Sequence, residues 1–181
     1  MSPHAYTENQ LVERPAIGLF AALGWQTVSA MGETFGPSPS APLPEGDGRI
    51  WLGRETKSEV VLLNRLRAAL GKFNPTLPPE ALGTAIDELT RDRSAMSLAA
   101  ANREVYRLLK DGIPVSVPNR EILTSGSSPK GQGGQTTERL RVIDWEHPED
   151  NDFLLVSQFS VTGALYTCRP DLIGFVNGLP W

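Results

Sequence analysis

The chain has 181 residues, of which 40% are apolar, and 21 acidic against 17 basic residues leave it a formal net charge of −4. That is enough apolar material for one buried core, while the acidic balance argues against tight stand-alone binding to nucleic acid, whose non-specific affinity comes mostly from Lys and Arg on phosphates. With no run of eighteen apolar residues, no basic and apolar leader, one cysteine (Cys168) and two distant histidines (His4 and His147), the sequence offers no membrane span, signal peptide, internal disulfide or zinc cluster, so a cytoplasmic protein is expected.

Thr7-Glu8-Asn9-Gln10 can form a capping box, and Leu11, Val12, Ile17, Phe20 and Leu23 approximate one helical face that ends at Gly24. Pro15 leaves two readings open: a kinked helix, or a regular helix that begins near Arg14 with Pro15 in its first turn. Residues 31–48, rich in Pro, Ser and Gly, read as an exposed connection. Thr56 with Glu59 opens a second expected helix carrying Val60, Leu63, Leu66 and Leu70, with Gly71 as its stop. Pro78-Pro79 starts a third, reaching about Leu89, and Ser97 to Lys110 forms a fourth, closed by Asp111-Gly112.

Beyond Gly112 the pattern changes to short β-type runs, Ile113 to Val117, Arg139 to Ile143, Phe153 to Val161 and Leu172 to Val176. The Gly- and Ser-rich stretch between the first two reads as a flexible linker near 124–137. It lacks the Gly-Lys-Ser/Thr and the following helix that a phosphate loop needs. The acids from Asp144 to Asp152 read as a solvated hairpin tip, with His147 an exposed turn residue, Gln158 a strand residue and Cys168 a structural thiol. Arg65, Arg67, Arg103 and Arg107 are helical basic positions that suit phosphate contact or plain solvation. The whole is expected to be a single α+β domain.

The last residues are the most specific. Asn177-Gly178 between apolar runs is a hairpin signal, because both central residues of a type I′ turn need φ > 0. It pairs Val176 with Leu179 and leaves Asp171 opposite a position beyond Trp181, so the return strand is expected to be missing.

Arg169-Pro170-Asp171 followed by Phe175-Val176-Asn177-Gly178-Leu179-Pro180 resembles the amino-terminal PD-(D/E)XK nuclease domain of type I restriction enzyme R subunits. Glu8 and Glu13 with Leu23-Gly24-Trp25, Asn74-Pro75, Asp111-Gly112, Val142-Ile143-Asp144-Trp145 and Asn151-Asp152-Phe153 through Gln158-Phe159 extend the resemblance along most of the chain. It implies a restriction-endonuclease-like fold, a mixed sheet flanked by helices. It further implies Mg²⁺-dependent cleavage of double-stranded DNA, with Asp171 as catalytic residue and metal ligand and Glu13 as the first-helix glutamate beside it. The family's Glu-x-Lys belongs on the return strand past Trp181, so the metal site is expected to be incomplete here and the isolated chain inactive, with weak or no DNA binding. ATP and translocation belong to the parent subunit, as do its methyltransferase and specificity partners. The alternative is a non-catalytic interaction or assembly module of such a complex, associating through the open strand edge.

Overall fold

The computed structural model describes residues 9–37, 48–118 and 135–181. Among them are α1 (Arg14–Ala22), β1 (Gln26–Ser29), α2 (Leu63–Phe73), α3 (Pro79–Thr90), α4 (Leu98–Asp111), β2 (Ile113–Pro118), β3 (Gln135–Leu140), β4 (Phe153–Ser157), β5 (Val161–Thr162), β6 (Thr167–Cys168), β7 (Leu172–Val176) and β8 (Leu179–Pro180). The fold is α+β. Two compact units divide it, one of Met1–Leu66 with Asn151–Trp181 and the other of Arg67–Asp150, the chain passing between them within α2. None of the helices is long and apolar enough to cross a membrane, among the described residues.

The first unit is built on a mixed sheet of order β1-β4-β7-β8, with β1 parallel to β4 and the other pairs antiparallel. The central strand β4 is apolar from Phe153 to Val156 because both its faces are covered. Side chains alternate across a strand, so Leu154 and Val156 share one face with Ile173 and Phe175, and there they meet Ala30, Leu52, Leu62 and Phe159 in the core. Phe159 packs edge-on against Phe175 at 5.2 Å. On the opposite face Trp25 packs against Phe153 and Phe20, and lies where a Cβ on Gly174 would come within 3.2 Å of its ring.

The hairpin expected at Asn177-Gly178 forms: Asn177 has φ 53° and Gly178 φ 79°, with Val176 opposite Leu179 and Phe175 opposite Pro180. The return strand, expected to be missing, is present as β8, and the Trp181 amide extends the ladder to Gly174 O. Buried Asn177 locks the turn, its Oδ1 accepting from Asp152 N and its Nδ2 donating to Asn151 Oδ1, both at 2.8 Å.

Regular helix begins at Arg14 with Pro15 in its first turn, preceded by a π-helical turn over Asn9–Glu13, which is the second of the two readings. Thr7 and Glu8 lie outside the described residues, and the proposed apolar face is only partly used: Ile17 and Phe20 are half-buried, whereas Leu11, Val12 and Leu23 are exposed. The second expected helix starts late. Glu59 turns its carboxylate to Glu55 N rather than capping a helix at Thr56, Leu62 N bonds Gly178 O, and α2 begins only at Leu63. Gly71 does not stop it; Asn74 does, bonding Leu70 O through both its backbone and its side-chain N–H.

Buried Arg54 holds the segment between β1 and α2. Its guanidinium pairs with the Glu33 carboxylate through Nε and Nη2, donates through Nη1 to Glu59 O at 2.8 Å and Ser160 O at 3.0 Å, and stacks 3.8 Å over the Phe159 ring. The described part of 31–48 is bonded to residues 50–54: Thr34 N reaches Ile50 O and Gly36 N reaches Arg54 O.

In the second unit, α3 buries Ala81, Ala85, Ile86 and Leu89 along one stripe, and α4 is capped by Ser97 Oγ on Ala100 N and ends at Gly112, φ 79°. Strand β2 alternates buried Ile113, Val115 and Val117 with exposed Pro114, Ser116 and Pro118, and pairs antiparallel with β3. The expected run Arg139 to Ile143 is displaced: β3 ends at Leu140, because Asn74 takes Arg141 N and O out of the ladder. The glycine-rich stretch lies largely outside the described residues.

Candidate functional site

Strand β4 is shorter than the run expected from Phe153 to Val161. It stops at Ser157, and Gln158 adopts a left-handed conformation with φ 59°. Beyond it the chain makes the β5–β6 hairpin and returns into β7 at Asp171, whose carbonyl oxygen accepts from Gln158 N at 2.9 Å. Gln158 and Asp171 thus close the neck of one excursion from the sheet.

Their side chains meet there. Gln158 Nε2 donates to Asp171 Oδ1 at 3.3 Å and to Glu13 Oε1 at 3.4 Å. The two acids singled out from sequence, one in the π-helical turn before α1 and the other at the mouth of β7, therefore flank one carboxamide nitrogen. Asp171 is exposed and Glu13 half-buried. A cleft of about 180 Å³ opens nearby in the same unit, lined by Ile17, Thr27, Val28, Ser29, Leu155 and Ser157. Ile17 is one helical turn beyond Glu13 and Ser157 adjoins Gln158. Two carboxylate oxygens thus converge on the donor end of one amide.

The chain matches the family model described as type I restriction enzyme R protein N terminus over residues 5–181. The chain belongs to this family. The R-protein amino terminus is 34% identical over 139 residues, 76% of its length, to the type I restriction enzyme HindI endonuclease subunit of Haemophilus influenzae. It is 26% identical over 130 residues, 70% of its length, to the putative type I restriction enzyme MjaIXP endonuclease subunit of Methanocaldococcus jannaschii. The matched regions span only 12% and 11% of those relatives.

Gln158, expected within the strand, lies one residue past its end and joins the two acids. The available signal was a lone amide in an apolar run, which is also how an ordinary edge residue reads; only the backbone twist distinguishes them.

Residues 145–150 are exposed, as a solvated tip requires, whereas the flanking Asp144 is not. Asp144 is buried and accepts at Oδ1 from the His147 and Glu146 amides, both at 3.1 Å. Those backbone bonds, led by His147, with nearby Arg141 hold its carboxyl below the usual aspartate range against the opposing effect of desolvation. Asp150 pairs with Lys72 and Asp152 with Arg65. The ligand atoms of Asp144, His147 and Asp150 lie within 4.8 Å of one another, but these bonds already assign Asp144 to turn capping and Asp150 to an ion pair. His147 is exposed as expected; Cys168 is exposed as well, so it packs no core. Arg65 is an intramolecular anchor, bound to Asp152 and Gln26, while Arg67, Arg103 and Arg107 are exposed.

Proposed function

We propose that this R-protein amino terminus is the nuclease module of a type I restriction endonuclease subunit, with Glu13 and Asp171 as the metal-ligating acids of its cleavage site. The observation that carries the reading is their convergence on Gln158 from opposite ends of the chain. Relatives named as endonuclease subunits support it.

In this reading Glu13 and Asp171 would hold Mg²⁺, which when bound supplies Lewis acidity toward a phosphodiester and lowers the pKa of a coordinated water. The protein's own contribution is positional. The antiparallel register sets Asp171 just before β7, opposite Gln158 and beyond the Ser157–Leu172 pair, while the π-helical turn before α1 brings Glu13 to the same carboxamide. Double-stranded DNA is the proposed substrate. Given the chain's net charge of −4, most of the DNA affinity would come from the rest of the subunit, whose ATP-driven motor and methyltransferase and specificity partners belong to the same proposal.

The test uses the complete R subunit assembled with its partner subunits, unmodified circular DNA, ATP and Mg²⁺. Asp171→Asn and Glu13→Gln should each abolish DNA cutting while leaving ATP hydrolysis within about twofold, since the loss of one transition-state contact reaches roughly 10²-fold or more. Normal cutting by Asp171→Asn would refute the assignment and return the chain to the role of an assembly module.

A further inference from the structure

Along β4 the pleat places Leu154 and Val156 on the core face, and an uninterrupted strand would carry residue 158 there too. A buried amide without partners is costly. The chain avoids it with one residue of left-handed backbone: Gln158, at φ 59°, leaves the alternation, and Phe159 takes the core position instead, fully buried against Phe175. Glutamine gains nothing from this conformation, which favours Gly, Asn and Asp. Its surroundings impose it. The Arg54 guanidinium covers the Phe159 ring and binds Ser160 O, and Gln158 N is tied to Asp171 O. Irregularities of this sort re-aim side chains at strand ends, and here the carboxamide is aimed between two carboxylates.

We infer that Gln158 is a positioning residue of the proposed cleavage site, its carboxamide setting the separation and orientation of Glu13 and Asp171 for a divalent ion. This rests on the reading of those two acids as ion ligands. Like charges brought close repel, and the Nε2 hydrogens placed between Oε1 of Glu13 and Oδ1 of Asp171 offset that repulsion. Side-chain length is essential: the nitrogen reaches both oxygens only because glutamine carries one methylene more than asparagine.

The length requirement separates backbone from reach. Gln158→Asn and Gln158→Gly both suit φ 59° and both lose the bridge, so each should fold, its relief of backbone strain opposing the loss of the two hydrogen bonds. Titration with Mn²⁺ alone, followed by paramagnetic broadening of the amide resonances of residues 13, 158 and 171, reads even millimolar affinity. Both variants should bind Mn²⁺ at least threefold more weakly, and Glu13→Gln and Asp171→Asn more weakly still. If the two acid variants weaken binding while Gln158→Asn and Gln158→Gly match the unaltered chain, the inference about Gln158 is overturned and the acid pair stands. If the acid variants also bind normally, the ion-site reading falls and this inference with it.

Discussion

Replacing Arg54 by Met tests whether its buried ion pair with Glu33 is a structural keystone. Arg54 is 0% exposed and its partner Glu33 3% by side chain, so the substitution leaves a buried carboxylate without its guanidinium. It also removes the donor to Glu59 O and Ser160 O and the cation lying 3.8 Å over Phe159. Breaking one side of a buried pair costs about 3–5 kcal/mol, chiefly because the remaining charge stays desolvated. Against a total stability of roughly 5–15 kcal/mol that is a large fraction, and it corresponds to a melting temperature lower by about 6–20 °C. Urea unfolding followed by tryptophan fluorescence measures it, with Trp51 as a nearby reporter whose Nε1 donates to Gly36 O. Removing both charges, in Arg54→Met with Glu33→Leu, should cost less than Arg54→Met alone, because no unpaired charge is then buried. A single variant losing under about 1 kcal/mol, or a double variant losing the sum of the two singles, would refute the argument.

Gly178→Ala should destabilise the chain by more than about 1 kcal/mol, since φ is 79° and a Cβ would fall 2.5 Å from Leu62 O and 2.8 Å from Leu66 N; an unchanged urea midpoint would contradict this. Asp144, held below the usual aspartate range when folded, contributes stability that is complete above the unfolded value of about 3.9 and lost as pH falls through the folded value. Thermal melts between pH 6 and pH 2 should therefore show a shallower acid loss for Asp144→Asn than for the unaltered chain, and parallel curves would remove Asp144 from the acid transition.

What the sequence alone determined is what local chemistry decides. Pro78-Pro79 and Ser97 start α3 and α4 because their constraints act within one turn, Gly112 ends α4, and Asn177-Gly178 folds β7 onto β8 because positive φ at two successive residues permits little else. The candidate acids were named through the family resemblance, since an acid at a strand entry or in a first helix is by itself an ordinary turn or solvated residue. Tertiary structure decided the rest. Strand β1, four residues with a half-exposed pattern, exists through its parallel pairing with β4 more than a hundred positions away, and no local periodicity encodes such a partner. Thr56 and Glu59 spell a helix start, but buried Arg54 claims Glu59 O and Gly178 O claims Leu62 N, delaying α2 to Leu63. Gln158 reads as a strand residue until the burial of Phe159 and the anchoring of Ser160 turn it out of the pleat. Its bond to Glu13 and Asp171 is a consequence of long-range packing, which one-dimensional spacing does not record.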